Sequence, residues 1–395
     1  MNKQTFLKDV VLRLKSVLPA ELNPTALHEP AISDLERDYV KACLDSGFVS
    51  SAGNFVNQFA RELESFTGAR HAIPTVNGTS ALHLCLKLAG VQAGDEVLVP
   101  ALTFIATANA VSYCNAVPHL VDCSPETLGI DPARLDTYLA AVCQMRKGQC
   151  WNRSTKRIVK AVVAMHALGH PVELDLLMGV CQKYGLELVE DAAESLGSRY
   201  KNRHTGTFGR LGALSFNGNK IITTGGGGAI LTDDDELAAK AAHLTTVAKE
   251  PHPWDFVHDD IGYNYRMPNL NAAFGLAQMK RLPDFVQKKR HLAKAYEGAF
   301  RLSEHVRFLT EPEFATSNYW LNALILDETV APYLEDLLAL THSEGIMTRP
   351  LWKPLHRQAP YQDCPRMDLS VSQRLAKQVM NIPSSPALGV ADEDK

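Results

Sequence analysis

The sequence predicts an α/β protein built on a mainly parallel sheet, followed by a smaller unit, and three observations lead there. Short β-branched runs alternate with helical stretches through the middle of the chain, the pattern of parallel strands joined by crossover helices. Glycine and proline fall where those runs must turn or cap. Beyond about residue 300 the elements become shorter and more often interrupted by proline. In order, the pattern predicts a helix over 79–88, a turn over 90–95, a strand over 96–99, a helix near 105–113 and a strand over 117–121. A second unit has a buried strand over 158–165, then a helix over 172–184 with Leu174, Leu177, Met178 and Cys181 on one face. Gly185 caps that helix and a strand over 186–189 follows. The acidic run Asp233 to Glu236 reads as the first turn of a surface helix. Pro268, at a helix N1 position, opens a long hinge helix that continues past Pro283 through Phe285, Val286, Leu292 and Tyr296. A strand over 320–326 and a capped helix over 333–345 mark the smaller unit.

Composition bounds the function. The 395 residues are 46% hydrophobic and 21% charged, as in a folded globular chain. Lysine plus arginine against aspartate plus glutamate gives 40 − 44 = −4, so no overall positive field draws nucleic acid or an anionic membrane. The eight cysteines, at 43, 85, 114, 123, 143, 150, 181 and 364, form no Cys-x-x-Cys pair and read as reduced core thiols. Lys3, Lys8, Asp9, Arg13 and Lys15 interrupt every apolar run at the start, so no export signal is expected. Residues 97–121 lack charged side chains, yet Pro100, Thr103, Thr107, Asn109, Asn115 and Pro118 make them too polar and broken for a membrane helix. The expectation is a soluble, cytoplasmic protein with no nucleic-acid or membrane partner.

In open α/β sheets ligands collect beyond the carboxyl ends of the strands, and four places there carry polar residues. Asn77-Gly78-Thr79-Ser80 opens a helix with a glycine for close approach, two hydroxyls and free N–H groups, which suits a phosphate; an ordinary capped helix is the bland alternative. Glu190-Asp191-Ala192-Ala193-Glu194 sets carboxylates at a strand end with small residues between them, open to reading as mere caps. Lys220 lies between apolar runs beside the glycines 225–228, an odd place for a solvated surface charge. A desolvated lysine gives up its proton more readily and can form a Schiff base. No helix follows the glycine run where a dinucleotide fingerprint needs one, which rejects a Rossmann dehydrogenase. His166 and His170 have zinc-like spacing, but Gly169 and Pro171 spoil the helix that would align them, and no metal site is expected.

A phosphate cradle, a strand-end acid and a strand-end lysine together are what pyridoxal 5'-phosphate needs: donors for its phosphate, a carboxylate for its ring nitrogen and an amine for its aldehyde.

With these residues in place, the chain resembles the DegT/DnrJ/StrS family of pyridoxal-phosphate sugar-nucleotide aminotransferases. The resemblance runs through Asn77-Gly78-Thr79-Ser80-Ala81-Leu82, Pro100-Ala101-Leu102-Thr103-Phe104-Ile105-Ala106-Thr107, Glu190-Asp191-Ala192-Ala193, Ser215-Phe216 ahead of Lys220, and Gly262-Tyr263-Asn264-Tyr265-Arg266-Met267. It implies fold type I, the aspartate aminotransferase-like fold, with a seven-stranded, mainly parallel sheet in a large domain and a smaller C-terminal α+β domain. We place an N-terminal segment at 1–30, the large domain at 31–282 and the small one at 283–395. The resemblance makes Lys220 the Schiff-base lysine and Asp191 the partner of the ring nitrogen. Gly78, Thr79, Ser80 and Ser215 would hold the phosphate, and Phe104 would stack on the ring. Asn264 would reach the phosphate bound by the neighbouring subunit of a homodimer with shared active sites. Where the family usually has Gln or His near the cofactor hydroxyl, this chain has Glu194.

Four stretches look like the branch acting in legionaminic-acid and bacillosamine synthesis: His28-Glu29-Pro30, the run from Gly47 to Gly53, the Asn217-Gly218-Asn219-Lys220 loop, and Asn381-Ile382-Pro383-Ser384-Ser385. That likeness implies L-glutamate as donor and a nucleotide-linked 4-keto-6-deoxy-N-acetylhexosamine as acceptor, UDP-linked in preference to GDP-linked. The rival readings are a pyridoxal-dependent sugar dehydratase, disfavoured because such enzymes carry His in place of the lysine, and a non-catalytic regulator, disfavoured because no DNA-reading segment is visible. Trp254, His258, Trp320, Arg349 and Lys353 are left as candidates for the sugar or nucleotide without a choice among them.

Overall fold

The computed structural model describes residues 2–20 and 24–389; residues 1, 21–23 and 390–395, within the first and last expected segments, lie outside the described residues. The main sheet runs His71–Thr75, Gly228–Thr232, Leu211–Ser215, Glu187–Asp191, Ile158–Met165, Glu96–Pro100 and Val117–Val121 from edge to edge. Five neighbouring strands are parallel, and Gly228–Thr232 runs antiparallel to both of its neighbours. This is the expected seven-stranded, mainly parallel sheet. A hairpin of Cys143–Arg146 and Gln149–Asn152, which the sequence reading did not foresee, pairs with Ile158–Met165 and brings the sheet to nine strands.

The central strands are buried on both faces, which is why Val97–Pro100 and Ala161–Met165, within the strands Glu96–Pro100 and Ile158–Met165, read as continuous apolar runs and not as alternating ones. Helices cover the two faces: Gly78–Leu88, Ala106–Tyr113 and Leu174–Tyr184 are crossovers, the last ended by Gly185 at φ 61°. The uncharged stretch 97–121 is thus strand, helix and strand. Asp234 caps Asp235–Thr245 as the acidic run suggested.

Asn269–Phe300 is a single helix that passes through Pro283, and Pro268 is its N-cap, one position before the N1 place expected for it. Its first half packs through Ala272, Met279, Leu282 and Phe285 under the main sheet, and its second half through Leu292, Tyr296 and Phe300 into a separate core. That second core lies on an antiparallel sheet in the order Val306–Phe308, Asn322–Leu326, Val379–Ile382, Arg349–Pro350. The N-terminal helix Lys3–Val17 joins it with Phe6, Leu7, Val10 and Leu14. All eight cysteines are free, seven buried and Cys364 half-buried. Among the described residues no helix is long and apolar enough to cross a membrane.

Candidate active site

One edge of the main sheet gathers the polar residues that the sequence singled out. Six strands end there and the antiparallel strand begins there, so Thr75, Pro100, Val121, Met165, Asp191, Ser215 and Gly228 deliver the chain to the same side. Ligands gather at such an edge because helix N-termini and strand-end loops meet over it.

The helix Gly78–Leu88 starts at this edge. Asn77 caps it, its side-chain oxygen accepting the Ser80 N–H at 2.7 Å, and no acidic residue occupies the first turn. The positive helix end is therefore left for an external anion. Gly78 lies so close to Ser215 that a Cβ on it would come within 2.7 Å of the Ser215 Cβ. The fold thereby brings Gly78, Thr79, Ser80 and Ser215 into one small cradle of N–H and hydroxyl donors.

Asp191 ends its strand and is buried. The Thr107 hydroxyl donates to its Oδ2 at 2.8 Å, Thr103 and Thr107 share a hydrogen bond at 2.9 Å, and the Ala193 N–H reaches Oδ1 at 3.3 Å. Burial pushes the Asp191 carboxyl above the usual aspartate range, against the pull of these donors and of the Lys220 charge. Phe104, next to Thr103 in the loop after Glu96–Pro100, is 55% exposed. Sequence reasoning missed Thr107 as a site residue, although its spacing of four from Thr103 at a helix start was the available signal.

Glu190 and Glu194 flank Asp191 with different tasks. Glu190 is fully buried and accepts from His166 Nε2 at 3.0 Å and from the N–H groups of Gly206, Phe208 and Gly209 at 2.6–2.7 Å. Burial alone would raise its carboxyl, but these donors hold it below the usual range. It ties the 206–209 loop to the sheet and faces no open space. His166 Nδ1 accepts the Val172 N–H at 3.2 Å, so both its ring nitrogens serve the fold, while the His170 ring packs edge-on against Tyr319.

Glu194 instead meets the lysine. Its Oε1 lies 3.4 Å from Lys220 Nζ and its Oε2 accepts the Leu168 N–H at 2.9 Å. Burial pushes its carboxyl up to about 7, partly offset by the Lys220 charge. Lys220 is only 12% exposed, and its Nζ sits 3.9 Å from the centroid of the Trp320 ring. Of the five candidates left open for the sugar or nucleotide, Trp320 is thus placed against the lysine. Asn264 is exposed, on a bridge with Thr246, and is not drawn into the cluster within one chain.

The donor set fits pyridoxal phosphate: Gly78 lets the helix end approach Ser215 more closely than any side chain would allow, and a buried carboxylate and a shielded amine stand at the same end of the sheet. Residues 30–395 match the description of the DegT/DnrJ/EryC1/StrS aminotransferase family. EpsN of Bacillus subtilis strain 168 is 39% identical over 332 residues, covering 84% of this chain and 82% of EpsN. The GDP-perosamine synthase of Caulobacter vibrioides is 35% identical over 380 residues, covering 95% of this chain and 97% of that one. Among solved structures, a DegT DnrJ EryC1 StrS aminotransferase from Brucella abortus superposes with a TM-score of 0.82 at 28% identity, over 91% of this chain and 93% of the other.

Proposed function

Because this chain belongs to the DegT/DnrJ/EryC1/StrS aminotransferase family and is a pyridoxal-phosphate enzyme of nucleotide-sugar amination, we propose that it carries an amino group from L-glutamate to the C4 ketone of a UDP-linked 4-keto-6-deoxy-N-acetylhexosamine. The product would feed surface-polysaccharide or nonulosonic-acid synthesis of the legionaminic-acid or bacillosamine kind. The observation that carries the reading is the meeting of Lys220, Asp191 and the Gly78–Ser215 cradle at one sheet edge.

When bound, pyridoxal phosphate supplies an electrophilic carbon and a ring that withdraws electrons, so an amine can be taken from one substrate and given to another. The cradle would hold the phosphate and fix the ring's register, with Phe104 on its face. Asp191, held by Thr107, would keep the ring nitrogen protonated. Lys220 is the group that gives and takes protons at the reacting carbon, and it is needed again to release product, which a histidine could not do. Glu194 is the nearby acceptor for a proton on the Lys220 amine. Successive use of one site by donor and acceptor predicts ping-pong kinetics.

The homodimer belongs to the same reading. Trp254, Phe256 and Ile261 are 78, 80 and 84% exposed in the segment leading to Asn264, a surface that a second copy would cover while bringing Asn264 to its cradle.

The names of the GDP-perosamine synthases, 32–35% identical to this chain, favour a second reading in which the carrier is GDP. Purified enzyme with nitrogen-15 L-glutamate and either the UDP- or the GDP-linked ketosugar separates the two by mass spectrometry. Labelled amine in the UDP product alone supports the first reading, in the GDP product alone the second. Label in neither sugar removes both.

A further inference from the structure

Trp320 reaches the main-sheet edge from the second sheet. The strand expected over 320–326 starts only at Asn322, because Tyr319 takes φ 48° and turns Trp320 out of the strand path. A positive φ is costly for a bulky aromatic residue and persists only where the surroundings enforce it. Leu168, whose N–H holds Glu194, has the same conformation at φ 57°. The two residues that position the neighbours of Lys220 are therefore both held in a strained backbone.

The tryptophan is fixed on every side. Its N–H is accepted by Asn318 Oδ1 at 2.8 Å, and Asn318 Nδ2 donates to the Glu194 and Leu196 carbonyls at 2.9 Å each. Its carbonyl accepts from Lys289 Nζ at 3.1 Å, and this lysine, fully buried in the Asn269–Phe300 helix, also donates to the Ser384 carbonyl. Its indole Nε1–H donates to the Asn219 carbonyl at 2.8 Å, one residue from Lys220, while the ring covers the ammonium. Packing alone would not require both the ring face and the ring N–H to point at one lysine loop.

We infer that Trp320 is a positioning residue for Lys220: its ring and indole N–H hold the amine against Glu194, and its backbone ties that amine to the helix shared by the two cores. The inference rests on the reading of Lys220 as the reacting amine. An aromatic face attracts a cation and shields it from reagents, so removing the ring frees the amine. Glu194, Asp191 and His28 are the other titratable groups that feel the Lys220 charge, and all three stay in place in the variants below.

The test is competitive acetylation of the chain without cofactor, with the rate at each lysine read by peptide mass spectrometry in wild type, Trp320→Phe and Trp320→Leu. In Trp320→Leu, Lys220 should react faster by about three- to thirtyfold, while buried Lys289 stays protected. Trp320→Phe, which keeps a ring but loses the bond to Asn219, should show a smaller rise. Should the leucine variant not fold, the phenylalanine variant alone carries the test. A wild-type rate at Lys220 in the folded variants overturns the inference, as does a rise shared by Lys289, which marks general loosening. Because the readout needs neither cofactor nor sugar, a failure here leaves the proposed reaction untouched, and a failure of that reaction leaves this result standing.

Discussion

The Nζ of Lys220 and the Oε1 of Glu194 lie 3.4 Å apart at the carboxyl edge of the main sheet, the lysine 12% exposed and the glutamate nearly closed off. Contacts of this kind inside a dry site make the protonation of one partner depend on the other. The Glu194 carboxyl, raised to about 7 by burial against the pull of Lys220, changes charge near neutrality, where the proposed reaction would run.

Glu194→Gln should therefore flatten the pH dependence of stability. A carboxyl raised from 4.5 to about 7 on folding stabilises the protein below about pH 4.5, and that contribution is lost as pH rises through 7. Relative to wild type, the glutamine variant should gain on the order of 3 kcal/mol between pH 4.5 and 8. Urea unfolding at several pH values measures the difference; parallel curves for the two proteins would remove Glu194 as a buried titrating group.

Thr107→Val should act through Asp191. Without the hydroxyl that donates at 2.8 Å, the carboxyl rises further above its usual range and its charged form is less favoured. A hydrogen bond to a charged group is worth about 1.5–3 kcal/mol, so turnover at pH 7 should fall by roughly tenfold or more. Activity should recover partly as pH is raised, and Thr107→Ser should stay near wild type. A loss that is the same at every pH would separate Thr107 from the charge of Asp191.

Gly78→Ala tests the cradle. The added Cβ would lie 2.7 Å from the Ser215 Cβ and 3.2 Å from the Leu214 carbonyl oxygen, so strand and helix end must part. Pyridoxal phosphate should bind at least about tenfold more weakly, for a strain of about 1–3 kcal/mol. Wild-type affinity, by fluorescence titration of the cofactor, would place the phosphate elsewhere.

Glu190→Gln separates structure from chemistry at the same strand end. Removing one partner of a buried pair costs about 3–5 kcal/mol, and here His166 and three N–H groups lose a carboxylate. The variant should melt at a clearly lower temperature yet bind cofactor as wild type does when folded. An unchanged melting temperature would contradict the role given to Glu190.

The proposed sharing of the site between two copies is tested by mixing. Lys220→Ala and Asn264→Ala homodimers should each be nearly inactive, whereas dissociating and reassociating them together should restore up to about a quarter of wild-type activity, since half the dimers are hybrids with one complete site. No recovery, with hybrids detected by native mass spectrometry, would place Asn264 outside its partner's site.

Much of this was legible in the chain because burial on both faces writes a parallel strand as a mostly apolar run; Ile158–Met165, apolar but for Lys160, and Val117–Val121, apolar but for His119, were found to the residue. Lys220 stood out because a lysine between strand-like runs and beside a glycine loop is oddly placed for the solvated surface role of most lysines. The hairpin at 143–152 was not legible: its strands are only four residues long and one is largely exposed, leaving no apolar period to read. Nor was Trp320 placed, because its approach depends on a left-handed Tyr319 and on a buried lysine thirty-one positions earlier, a tertiary constraint with no local signature. Glu190 and Glu194 look alike in sequence and differ only in what surrounds them.

The central claim is that Lys220 is the amine of a transaminating site. Its most direct test is the visible absorbance of purified protein with pyridoxal phosphate, before and after L-glutamate, in wild type and Lys220→Ala. The account predicts a lysine-bound cofactor band in wild type that glutamate converts to the amine form, and no such band or conversion in the variant. The same band and conversion in Lys220→Ala, or no band in wild type, would contradict it.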